Sequence, residues 1–162
     1  MKRVIVHWTA GAYRASDLDR EHYHLLIEGS GQIVRGKNPI SANQAPAREP
    51  RASHTKNCNT NSIGVAVCCM AGAIERPFSA GLFPLTAGQW EVLAEVVAEL
   101  CEAYDIEVTP DTVLAHGEVQ DRLNIPQRGK WDPMVLPFAP TRSPADVMSG
   151  FRERVREHID AR

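Results

Sequence analysis

The sequence contains no long hydrophobic run. The apolar stretch that follows Met1-Lys2-Arg3 is only Val4, Ile5 and Val6 before His7 interrupts it. That is too short for the hydrophobic region of a secretory signal, and no later stretch could span a bilayer. The chain is therefore expected to be cytoplasmic as synthesised and not to insert into a membrane. Charge of one sign is also missing: 18 Lys and Arg against 20 Asp and Glu give a formal charge of -2, which offers no footprint for nucleic acid. Cysteine is scarce, and Cys58, Cys68, Cys69 and Cys101 lack the spaced framework of small secreted domains. Cys68 and Cys69 adjoin in an extended run, so they point to opposite faces and cannot clamp a metal from one side. Cys58 lies in a polar loop with nothing nearby in sequence to lower its thiol pKa, so a thiol-dependent peptidase is a remote reading. At 162 residues the chain is about one domain long and needs no disulfide to bury a core. No repeat and no long linker divides it.

What is present reads as alternating strands and helices. Val4 to Val6 is β-branched and ends at His7, with Thr9-Ala10-Gly11 breaking the pattern. Leu25 to Ile27 and Gln32 to Arg35 flank the turn Glu28-Gly29-Ser30-Gly31, which predicts a hairpin led by Tyr23 and His24. Residues 37 to 61 turn to Pro, Ala, Asn, Arg and Ser, a long loop with His54 near its end. Ser62 to Cys69 is nearly all apolar, the pattern of a central strand covered on both faces. Thr86 with Gln89 forms a capping box, and the stripe Trp90, Leu93, Val97, Leu100, Tyr104 predicts a core-facing helix to about Tyr104. Val113-Leu114-Ala115 repeats the arrangement at His7: a strand ends, His116 follows, and Gly117 turns the chain. A polar loop from Glu118 to Trp131 leads to Asp132-Pro133. Ser143-Pro144 opens a last helix with the stripe Val147, Phe151, Val155, Ile159.

Two histidines at strand ends and an aspartate beyond a loop make a His-His-carboxylate set, which for zinc leaves a fourth position open to water. Spacing alone does not establish such a site, because His7, His116 and Asp132 form no local motif.

The segments Ile5-Val6-His7-Trp8-Thr9-Ala10-Gly11, Tyr23-His24, Ser53-His54, Asn61-Ser62-Ile63-Gly64-Val65, His116-Gly117-Glu118-Val119 and Lys130-Trp131-Asp132-Pro133 occur in this order. Together they resemble the zinc N-acetylmuramoyl-L-alanine amidases, a family that takes in phage-type endolysins, anhydromuropeptide amidases and peptidoglycan recognition proteins. The resemblance implies an α/β fold with a single mixed central β-sheet flanked by helices, and one amidase catalytic domain over residues 1 to 162 without a separate wall-binding domain. It implies that His7, His116 and Asp132 hold Zn2+, that Lys130 lies near the reacting carbonyl, and that Tyr23 is directed toward the attacking water. His54, Asn61 and Trp8 are carried over as substrate-binding positions.

The implied activity is hydrolysis of the amide between N-acetylmuramic acid and L-alanine by a monomer, with peptidoglycan or a muropeptide as partner. A phage-type endolysin acting on the wall after release is the leading role. A cytoplasmic muropeptide-recycling amidase and a non-catalytic recognition module are the alternatives. Two departures stand out. Ala66 occupies the place where some branches carry a glutamate base, and Met134 replaces the usual glycine after the Asp-Pro pair.

Overall fold

The computed structural model describes residues 1 to 162. A five-stranded sheet is built from β1 (Arg3–Trp8), β2 (Leu25–Ile27), β3 (Ile33–Arg35), β4 (Ser62–Val67) and β5 (Val113–Ala115), in the order β3-β2-β4-β1-β5. β3 is antiparallel to β2 and every other pairing is parallel, so the sheet is mixed. β1 lies between β4 and β5 and is buried from Val4 to Trp8, as its β-branched composition requires. The helices are α1 (Asp17–His22), α2 (Ala87–Ala103), α3 (Val119–Leu123) and α4 (Pro144–Asp160). Three of the four start on a side-chain cap. Ser16 and Asp19 form a reciprocal box for α1, as do Thr86 and Gln89 for α2, while Ser143 caps α4 with Pro144 at its first position. None is long and apolar enough to cross a membrane.

Period-two alternation gives the sheet two unlike faces. Val4, Val6 and Trp8 of β1, with Ile63, Val65 and Val67 of β4, join α2 and α4 in one large apolar core. Ile5 and Leu114 turn the other way, toward Cys58 and Val119, and Leu26 meets Ala66 and Cys68. This second face carries His7 and is covered by α3 and the long loop rather than by long helices.

Several sequence expectations shift. Cys58 is 4 % exposed beneath Arg3 and Ser62, not in a solvated loop. Tyr104 is 38 % exposed and caps α2 instead of ending its buried stripe. The stretch after His116 is a 3-10 turn (His116–Glu118) running into α3, where only polar loop was expected. Its Val119 is buried against Ile5 and Leu114, a long-range contact that local polarity does not reveal. The 37 to 61 loop is held by one buried amide. Asn43 donates to the carbonyls of Ala52 and Asn59 and accepts from Ala52 N and His24, which uses its full hydrogen-bonding capacity.

Candidate metal centre

The parallel register sets His7 beside Ala66 on β4, and β5 delivers His116 immediately after its last residue. Asp132 is fastened to the same turn, because Gly117 N donates to its carbonyl at 3.0 Å. A side chain at Gly117 would run into Met134, so the missing Cβ is what lets that segment lie down and also seats Met134. The turn is braced from below by Arg152 of α4, which pairs with Glu118 at 3.0 Å and donates to the Val113 carbonyl.

The result is that His7, His116 and Asp132, all buried, bring one ligand atom each within 4.8 Å of one another. His7 Nδ1 lies 3.1 Å from His116 Nδ1, and the Asp132 oxygens are 3.5 and 3.6 Å from the two.

The hydrogen-bond network assigns the tautomers. His54 Nε2 faces the Ser62 carbonyl at 3.2 Å and must donate, so its Nδ1 is bare; that nitrogen accepts from the Thr55 hydroxyl at 2.8 Å and faces His7 Nε2 at 3.2 Å, which must then carry the His7 proton. Gln127 Nε2 donates to Lys56 O at 2.8 Å, so its Oε1 accepts from His116 Nε2 at 2.9 Å. On these partners His7 and His116 both carry their proton on Nε2 and point unprotonated Nδ1 atoms at each other and at a carboxylate. Three buried acceptors facing one another without a donor repel, and a cation among them removes the conflict. Two imidazole nitrogens and a carboxylate oxygen are a donor set that suits zinc, with the outer nitrogens fixed by second partners.

Burial, chiefly, pulls the His7 pKa from 6.5 to about 4, against a raising contribution from Asp132, so His7 is neutral at pH 7. His54 is also driven well below its ordinary value by burial and then by neighbouring His7 and His24. Burial alone would raise Asp132, but the two imidazoles of His116 and His7 beside it outweigh burial and hold the carboxyl well below the usual range.

The other candidates divide. Tyr23 lays its ring 5.1 Å from that of His7, and burial, reinforced by the Asp132 charge, pushes its phenol up, so it stays protonated and can donate. Lys130 is exposed on the rim of a cavity of about 480 Å³ that His54 and His116 also line. His54 reaches His7 because β4 offers Gly64 beneath it: a Cβ there would lie 2.4 Å from His54 Cγ.

Two substrate-binding expectations do not fit their positions. Asn61 sits at the far end of β4, beside Lys2 and not His7, with φ of 62°, where it accepts from Ala45 N and anchors the long loop. Trp8 is buried on the α2 and α4 side, its ring edge-on to Trp131 at 4.7 Å. Gln127 was not foreseen. A glutamine in a polar loop carries no local signal, and its role exists only because α3 folds that loop back over His116. The glycine inside the apolar β4 run was the one available cue to a close approach there.

No curated protein matches this sequence. Solved structures with the same fold include AmiD from E. coli, at 21 % identity and a TM-score of 0.53, covering 82 % of this chain and 52 % of AmiD, so the chain spans about half of that protein. A mutant of PlyL matches at 16 % identity and a TM-score of 0.52 over 96 % of this chain and 84 % of PlyL. At such identity these likenesses speak to fold alone. The family model for N-acetylmuramoyl-L-alanine amidase matches residues 1 to 134, a span that runs from β1 through Asp132 and so takes in His7, His116 and Asp132, and on that match the chain belongs to the N-acetylmuramoyl-L-alanine amidase family.

Proposed function

We propose that this chain hydrolyses the amide bond between N-acetylmuramic acid and L-alanine in peptidoglycan, with zinc held by His7 Nδ1, His116 Nδ1 and a carboxylate oxygen of Asp132. The observation that carries the reading is the meeting of two buried imidazoles and a buried carboxylate, with one ligand atom from each within 4.8 Å, at the edge of a polar cavity. Zinc, when bound, supplies Lewis acidity toward water and toward an amide carbonyl, the two weak reactants of this hydrolysis.

The remaining work falls to the chain's own groups. His54 and Gln127 hold the two imidazoles in the ligating tautomer. Lys130, on the cavity rim, offers an ammonium to the negative charge that grows on the carbonyl oxygen during attack. Tyr23 keeps its proton, so its part is to donate a hydrogen bond and orient, not to act as base. Ala66 is buried beneath Leu26 and Cys68, which leaves no carboxylate base at that position. The resemblance of the motifs to endolysins supports a lytic role on the cell wall after release. A protein that only recognised muropeptide would have no use for the intact set of three ligands.

Mass spectrometry of products from purified sacculi and from soluble muropeptides, with and without chelator, tests the proposal. Expected are free L-alanine-terminated stems that disappear with chelator, and release from sacculi marks the lytic role. Lys130→Ala is expected to keep stoichiometric zinc and lose on the order of 100- to 1000-fold in turnover. Cleavage at the parent rate by that variant, or full activity in a preparation free of metal, would falsify the mechanism. Stoichiometric zinc with no cleavage by the parent protein would favour the recognition module.

A further inference from the structure

The cavity beside His116 has an unusual lining for a chain whose net charge is -2. None of its nine lining residues is hydrophobic and none is acidic, while three are cations: Lys56, Arg128 and Lys130. None of these three takes part in the ion pairs of the structure, which occupy other lysines and arginines. Lys56 also borders a second cavity lined by Arg3 and Arg51, so positive charge continues away from the metal centre along the end of the long loop. Gln127 ties the wall that bears Arg128 and Lys130 to the wall that bears Lys56, through its bond to the Lys56 carbonyl. The cations are thus collected by folding at one side of the site.

If the proposed reaction is correct, the substrate is charged on one side only. The lactyl carboxyl of muramic acid is consumed in the scissile amide, so the sugar side of that bond is neutral. The peptide side is not. In the ligand crystallised with AmiD, anhydro-N-acetylmuramic acid-L-Ala-D-γ-Glu-L-Lys, the γ linkage leaves the glutamate α-carboxylate free, and the terminal lysine adds another. Unpaired cations collected along one open, polar wall attract such groups and tell them from neutral amides.

We propose that this cavity holds the peptide side of the substrate, and that Lys56 and Arg128 set a preference for stems whose carboxylates are free over stems in which they are amidated. The assignment rests on the proposed function for the identity of the ligand, but binding can be read without cleavage.

The test is calorimetric titration of the zinc-loaded protein with L-Ala-D-γ-Glu-L-Lys and with the same peptide amidated at both carboxyls. The free acid is expected to bind about tenfold more tightly than the diamide, two exposed charge contacts together being of that order. The gap should close at about 0.5 M salt, where the screening length is a few ångströms, and in the double variant Lys56→Ala, Arg128→Ala. Both side chains are exposed, and circular dichroism with a zinc titration checks that the variant is folded and loaded. Lys56→Arg with Arg128→Lys keeps the charges and should restore the gap.

Equal binding of the two peptides, binding of neither, or a gap that survives the double variant overturns the assignment. A gap that behaves as expected in a protein that cuts nothing leaves the assignment standing and removes the proposed hydrolysis instead.

Discussion

The two faces of the central sheet are made by the same strands and behave as different materials. On the α2 and α4 face, Val4, Val6, Ile63, Val65, Val113 and Phe151 belong to one continuous apolar core. On the other, the apolar clusters are small, and His7, His24, His54 and His116 are all buried among hydrogen bonds. Alternation along β1 is enough to produce the split: Val6 faces the helices and His7, next in sequence, faces the site. The first face supplies burial energy, and the second spends part of it on keeping neutral imidazoles and a charged carboxylate out of water. A site of this kind can be rigid because its supporting strand is anchored from behind.

Perturbing one face at a time sharpens this division. Phe151→Ala should cost about 3 to 5 kcal/mol in urea unfolding, since the ring is buried against Trp90, while zinc affinity of the folded fraction stays near that of the parent. A large drop in metal affinity there would mean the faces are not separable. Gly64→Ala works from the site side. Its Cβ meets the body of the His54 ring, so a loss of about 1 to 3 kcal/mol is expected together with weaker zinc binding, and a crystal structure with His54 unmoved would contradict this.

Gln127→Leu removes the acceptor for His116 Nε2 without touching the core. Zinc affinity should fall about 10- to 100-fold, measured by competition with a chromophoric chelator, with the unfolding midpoint of the metal-free protein little changed. Gln127→Glu, which keeps an acceptor, should recover most of it.

The remaining effect is on pH. The folded-state pKa of His7 is lowered to about 4 by burial, so between about 6.5 and 4 the unfolded chain binds more protons than the folded one. Stability of the metal-free protein should therefore fall as pH drops through that window, by at most about 1.4 kcal/mol per pH unit for this residue, and stop falling on its account below it. His54 and His24 shift in the same direction. Asp132, held low, acts only below the ordinary carboxylate range, so the two effects do not overlap. A flat stability profile from pH 7 to 5 would show that these histidines are not buried neutral.

Much of the fold was legible because its signals are local. The apolar runs of β1, β4 and β5, the box at Thr86 and Gln89, and the Ser143-Pro144 start lie within one turn or one strand of the elements they specify. The histidines at the ends of β1 and β5 could be marked as candidates for the same reason. Asn61 was misplaced because its neighbours match a motif while its backbone turns with a positive φ, which puts its side chain on a loop anchor at the wrong end of the strand. Cys58 looked solvated since its polar neighbours in sequence are not its neighbours in space.

The sequence by itself determined the strand and helix types and marked His7, His116 and Asp132 as side chains able to hold a metal, all of which depends on a residue and those within a few positions of it. Tertiary structure decided which ring nitrogen each histidine leaves bare, through His54 on His7 and Gln127 on His116, and decided that Lys56, Arg128 and Lys130 share one wall of a cavity. The reason is that a lone pair's direction and a cation's surroundings are fixed by partners brought together from distant parts of the chain, and only the closed sheet with its returning loops supplies them.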